Sequence, residues 1–173
     1  MLLILLVFAA VAVALGVYGN VHDPTGRSLV TLFFSKGIHL KVWLATVAFA
    51  CALFQLGSGL RIYGRLGSTP APGWLGSAHR ISGTLAFLFT LPVSYHCLWA
   101  LGFNADSGTR VLVHSIVGCF FYGVFAAKVL TVRSRNLPGW ALPVVAGAVF
   151  TGLVVIWLTS SFWFFTNVEF PAI

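Results

Sequence analysis

The sequence predicts an all-α integral membrane protein, a bundle of five transmembrane helices in one domain that spans residues 1–173. Its composition is 59% hydrophobic and 8% charged, whereas soluble domains carry about 25% charged residues. Five apolar runs each reach the roughly 20 residues that a helix needs to cross a bilayer. No repeat, linker or low-complexity tract divides the chain, so we expect a single bundle.

Turn-rich connections separate the predicted spans, for example "DPTG" at 23–26 and "GSTPAPG" at 67–73. The first run has an alternative interpretation as a signal peptide, because the stretch Ala12–Ala14 resembles a cleavage site. It lacks the positive charges that open such a peptide, so we interpret it as a retained helix. The expected spans are about Met1–Tyr18, Ile38–Tyr63, Arg80–Phe103, Arg110–Val132 and Trp140–Phe165.

The basic residues favour a cytoplasmic N terminus. Alternating spans place six of them on one side of the membrane and four on the other, and the richer side is usually cytoplasmic. The C terminus is then outside, in a multi-pass protein of the bacterial cytoplasmic membrane. The ten basic residues flank apolar runs, so we expect the lipid bilayer and no nucleic acid as a partner. The six are Arg61, Arg65, Arg80, Lys128, Arg133 and Arg135; the four are Arg27, Lys36, Lys41 and Arg110.

Two histidines lie inside the predicted spans, where imidazole is costly and usually marks function. His96 is about 9 Å from the outer end of the third span, and His114 is about 6 Å into the fourth, at 1.5 Å per residue. Consecutive spans joined by a short loop are commonly antiparallel neighbours. We therefore expect the two side chains at similar depth on adjacent helices.

One haem b with His96 and His114 as axial ligands is the cofactor that this pair predicts. Two neutral imidazoles give a six-coordinate iron suited to electron transfer. Gly118, one turn after His114, leaves room for a flat macrocycle, and Arg110 and Lys41 at the outer boundary suit its propionates. Hydrogen bonding between helices is the alternative role. Zinc is a weaker prediction because carboxylates and cysteine pairs are missing nearby, and copper stays an alternative.

The other histidines have simpler interpretations. His39, at the water boundary of the second span, is the alternative iron ligand. His22 precedes "DPTG" and is expected in a turn, with contact to a partner protein as the alternative. His79 opens the third span on the cytoplasmic side. It is either a helix-start residue that bonds a carbonyl or a protonatable group for a quinone.

The run "HRISGTLAFLFTLPVSYHCLWALGF…RVLVHSIVGCFFYGVFAAK" resembles the helical core of bacterial b-type cytochromes and ferric-reductase-like membrane domains. That resemblance implies that His96 and His114 ligate haem and that His79 is a third functional histidine. Members with two haems have two histidines near each membrane face, whereas this chain has only His79 at one face. The whole chain, including "VYGNVHDPTG" and "LPGWALPV", also resembles a small bacterial family of five-span membrane proteins of unknown function.

The function that follows is electron transfer by a membrane subunit of an oxidoreductase complex. Its haem would lie near the outer face, between a lipid quinone and an outer-side redox partner such as an iron–sulfur protein or a cytochrome. The alternative is a non-redox anchor or assembly subunit of a larger complex, with its histidines in helix contacts. A transporter is disfavoured because charged residues are scarce within the spans.

Overall fold

The computed structural model describes residues 1–28, 30–103, 107–168 and 170–171. These residues form helices and no strand, as the sequence predicts. Five of the helices are long and apolar enough to cross a membrane. They are α1 (Leu2–Val21), α2 (Gly37–Ile62), α3 (Leu75–Leu101), α4 (Thr109–Arg133) and α5 (Ala141–Asn167).

The third helix differs most from its predicted limits. It begins at Leu75 rather than at Arg80, directly after the Pro- and Gly-rich connection, where the Leu75 amide donates to the Pro72 carbonyl. Arg80 is exposed, so its charge stays at the surface of the helix and does not end it. Leu75 is buried and contributes to the packing of this extra turn.

Two helices change from α-helical to π-helical geometry near the same end of the bundle. In α3 the change comes at His96 and extends to Leu101. In α5 it covers Leu158–Phe162, before the helix returns to α geometry. Such wider turns often occur at functional sites, because they redirect side chains and release backbone carbonyls from the regular pattern.

Helix order around the bundle differs from the order along the chain. The packed pairs are α3 with α2, α2 with α5, α5 with α4, and α4 with α1. The close backbone packing expected between α3 and α4 is absent among the described residues. These two helices meet through aromatic side chains instead, since the Phe87 ring stacks on Phe125 with 4.2 Å between centroids.

The ring of helices closes where α1 reaches the end of α3. We call this the Lys41 end: α1, α3 and α5 finish there, and α2 and α4 begin there. The Phe103 amide donates to the Gly19 carbonyl at 2.7 Å, and the Thr25 amide donates to the Trp99 carbonyl at 3.1 Å. The segment after each of these two helices thus bonds a carbonyl that the end of the other helix leaves without an intrahelical partner.

Candidate functional site

A cavity of about 370 Å³ lies between the five helices at the Lys41 end. We call it the central cavity. It separates α3 from α4 and is lined mostly by apolar side chains. The Tyr122 hydroxyl donates to the Thr90 carbonyl of α3 at 2.8 Å and joins α3 to α4 beside it. The volume of the central cavity falls within the range of about 300–1,000 Å³ that is typical of small-molecule sites. Four of the predicted site residues line it: His114, Gly118, Arg110 and Lys41.

The ring of His114 is oriented by Thr159 of α5. His114 Nδ1 lies 3.0 Å from Thr159 Oγ1. The Thr159 hydroxyl lies 2.7 Å from the Val155 carbonyl and donates its hydrogen there, so its oxygen accepts from His114 Nδ1–H. In a neutral imidazole the other nitrogen, Nε2, then carries the lone pair. The contact therefore favours the His114 tautomer whose Nε2 is free to ligate a metal ion.

Arg110 is fixed one turn before His114 by the same π-helical segment of α5. Its guanidinium donates to the Thr159 carbonyl at 2.6 Å and lies 3.7 Å above the centroid of the Trp163 ring. These contacts hold the positive charge at the edge of the central cavity, where a carboxylate ligand would find it.

Gly118 leaves part of the central cavity open. A Cβ atom at this position would have no heavy atom within 4 Å outside its own helix. The prediction that a flat ligand approaches α4 at this position stays a prediction.

His96 lines a second cavity, of about 360 Å³, between α2 and α3. We call it the side cavity. Its other lining residues include Arg27, Leu44 and Trp99, and it shares Lys41 and Val93 with the central cavity. Among the described residues, no group hydrogen-bonds to the His96 ring. His96 and His114 therefore line adjoining cavities rather than one, because α3 presents Pro92 and His96 on one face and Cys97 on another.

His39, the alternative ligand, is buried in the contact of α2 with α5. It is 2% exposed, Ser35 Oγ lies 3.1 Å from its Nδ1, and its ring meets Phe164 edge-on at 6.0 Å. It lines neither cavity. It lies in the first turn of α2, as expected, but is enclosed by neighbouring side chains.

His22 fastens the segment that follows α1 to the end of α3. Its ring stacks on Trp99 with 4.6 Å between centroids and on Tyr18 with 5.1 Å. Its Nε2 lies 3.3 Å from the Trp99 carbonyl. These are the contacts of a residue that orders a turn.

His79 lies at the opposite end of the bundle, in a polar contact between α2 and α3. Its Nδ1 is 2.8 Å from Ser58 Oγ, and the Ser58 hydroxyl lies 2.6 Å from the Phe54 carbonyl, to which it donates. The Gln55 amide donates to the His79 carbonyl and, at 2.7 Å, to Ser82. His79 lines neither cavity, and the structure does not bring it near the other site residues.

Thr159 is the site residue that reasoning from sequence missed. It stands in the polar triplet "TSS" at 159–161, inside an otherwise apolar run. That interruption was the available signal, but nothing in the sequence indicates which helix the hydroxyl faces. Within the described part of the chain, no cluster of three or more histidine, cysteine or acidic side chains is arranged to hold a metal ion. This finding does not concern a site formed by only two histidines, such as His96 and His114.

Comparisons with known proteins place the chain in a family without assigning an activity. No curated protein matches the chain, and no solved structure does. The model of one protein family, described as a family of unknown function, matches residues 1–172. Since this match covers nearly the whole sequence, the chain belongs to the DUF6529 family of unknown function.

Proposed function

We propose that this chain is a b-type cytochrome membrane subunit that holds one haem with His114 and His96 as axial ligands. The observation that carries the proposal is the arrangement around His114. Its Nδ1–H is taken up by Thr159, so its Nε2 lone pair is available in a cavity that also contains Gly118 and two cations.

The residues of the central cavity fit the chemistry of a haem at three points. Its apolar walls match a macrocycle, His114 supplies an axial nitrogen, and Arg110 and Lys41 supply charges for two carboxylates. The second ligand is less well prepared, because His96 lines the side cavity. Ligation by both histidines requires the His96 ring to turn towards the central cavity at the point where α3 becomes π-helical.

A bis-histidine haem supplies one-electron transfer when it is bound. The chain's own residues orient the ligand, hold its acidic groups and exclude water. Thr159 keeps His114 in one tautomer, Arg110 is held in place by Trp163, and the apolar lining lowers the local dielectric.

The Lys41 end is assigned to the outer face of the bacterial cytoplasmic membrane by the six-to-four distribution of basic residues. We therefore place electron exchange at that face, between a lipid quinone and an outer-side redox protein. Other membrane subunits of the same complex are expected partners, because much of α1 is exposed apolar surface.

The test is a visible spectrum of the purified protein, oxidised and then reduced with dithionite. We expect a low-spin b-type spectrum with one haem per chain. The variants His114→Ala and His96→Ala should each abolish it or convert it to high spin. The variants His39→Ala and His22→Ala also replace a histidine with alanine. They serve as controls and should leave the spectrum unchanged.

Three results would contradict this function or its ligands. A colourless protein, expressed with ample haem supply, would favour the non-redox anchor or assembly subunit. Loss of haem in His39→Ala but not in His96→Ala would reassign the second ligand. A ratio near two haems would mean that His79 belongs to a second centre.

A further inference from the structure

Lys41 is a buried cation without a protein partner. The residue is only 7% exposed, it lines both cavities, and among the described residues no hydrogen bond or ion pair involves its ammonium group. Burying an unpaired charge is costly, so buried cations are normally matched by an anion. A bound anion in either of the two cavities that Lys41 lines would neutralise its charge.

The side cavity offers that molecule a site of its own. Arg27 lines it and provides a second cation, in addition to Lys41. None of the described residues that line this cavity is acidic. The remaining walls are largely apolar, with Leu40, Leu44 and Leu91 among them. The combination of two cations with an apolar slot suits an amphiphile that has an anionic head.

The backbone of Lys41 lies close to the boundary between the hydrocarbon core and the headgroup region, about 6 Å from the start of α2 at 1.5 Å per residue, and its long side chain can reach the headgroups. Helix α2 has 26 residues and is roughly 39 Å long at 1.5 Å per residue. The hydrocarbon core is about 30 Å thick, so the first turn of α2 extends into the headgroup layer. Lys41 lies one turn from Gly37, where the helix begins. A phosphate at the membrane boundary is thus at the right level to meet it.

We infer that the side cavity binds one acidic phospholipid, with its phosphate between Arg27 and Lys41 and an acyl chain along Leu40, Leu44 and Leu91. This site goes beyond the proposed haem function but shares Lys41 with it, so a change at Lys41 bears on both proposals, whereas a change at Leu44 bears on the side cavity alone. Lys41 lines both cavities. The second cation is Arg110 in the central cavity and Arg27 in the side cavity.

The test is native mass spectrometry of the purified full chain, offered equal amounts of phosphatidylglycerol and phosphatidylcholine. We expect one retained lipid and a preference for phosphatidylglycerol. Because a basic residue near the membrane surface contributes measurably to binding of acidic lipid, Lys41→Met should lower this preference about fivefold or more. Lys41→Arg should preserve it. Lys128→Met is the matched control, because Lys128 lies on α4 near the end of the bundle opposite Lys41. This variant should also preserve the preference for phosphatidylglycerol.

A cavity-filling variant keeps the test independent of the buried charge. Leu44→Trp should displace the lipid while leaving Lys41 in place. Equal retention of both lipids by the unmodified protein, or an unchanged preference in Lys41→Met and Leu44→Trp, would overturn the inference. Displacement of the lipid by an added short-chain quinone at equal concentration would also overturn it and reassign the cavity.

Absorbance of the same samples separates the two proposals. A colourless protein that prefers phosphatidylglycerol would contradict the haem function and support the lipid site. A pigmented protein without a lipid preference would support the haem function and contradict the lipid site.

Discussion

The imidazole of His114 and the hydroxyl of Thr159 form a hydrogen bond of 3.0 Å between α4 and α5. The hydroxyl is committed as a donor to its own helix, so it accepts from the ring. This contact orients a histidine that lines the central cavity and favours the tautomer with its hydrogen on Nδ1.

Replacing Thr159 with valine tests the importance of that contact. The substitution retains the branched shape of the side chain and removes the acceptor for His114 Nδ1–H. Because such outer-shell partners orient metal ligands, we expect haem affinity to fall about 10- to 100-fold. The measurement is haem titration of the apoprotein, followed at the absorbance maximum. Thr159→Ser keeps the hydroxyl and should retain most of the affinity; equal loss in both variants would mean that packing, not the hydrogen bond, is responsible.

Ser58→Ala tests the polar contact between α2 and α3. The change leaves His79 Nδ1 without the acceptor that now lies 2.8 Å away. We expect the free energy of unfolding to fall by about 1 kcal/mol, in the range of measured interhelical hydrogen bonds in membranes. Thermal unfolding in detergent measures this loss of stability. Ser77→Ala, on the exposed surface of α3, is the control and should change little; haem content should be the same in all three proteins if His79 is structural.

Gly123→Ala tests the packing of α1 against α4. A Cβ atom at Gly123 would lie 2.6 Å from the Phe8 carbonyl oxygen, which is backbone and cannot rotate away. The two helices must separate, so we expect a loss of about 1–3 kcal/mol. Gly147→Ala is the matched control, since nothing lies within 4 Å of its Cβ position, and it should stabilise α5 slightly. Similar unfolding midpoints for the two variants would show that α1 is not held closely at this point.

Reporter fusions after Ile173 test the orientation. With the Lys41 end outside, a reporter that is active only outside the cytoplasmic membrane should be active there, and a cytoplasmic fluorescent reporter should not. The physical basis is the excess of Lys and Arg at the opposite end. The opposite pattern would put His96, His114 and both cavities at the cytoplasmic face.

The sequence by itself determined the number of helices, their type and nearly all of their limits. This information is local, since a run of about 20 apolar residues matches the thickness of a bilayer whatever surrounds it. It also predicted one site formed by His96, His114, Gly118, Arg110 and Lys41, and the structure places the last four, but not His96, around the central cavity. Their spacing along helices that begin at a common end was enough to predict a common depth.

Only the tertiary structure decided which helices are neighbours and which way each side chain points. The pairing of α3 with α2, and of α4 with α1, depends on close approaches such as that of Gly123 to Phe8, which apolar runs of similar hydropathy do not distinguish. The same holds for the separation of His96 from His114 into two cavities, and for Thr159 as the partner of His114. Depth in a bilayer is set by the sequence of one helix, but rotation about its axis is set by packing against the others.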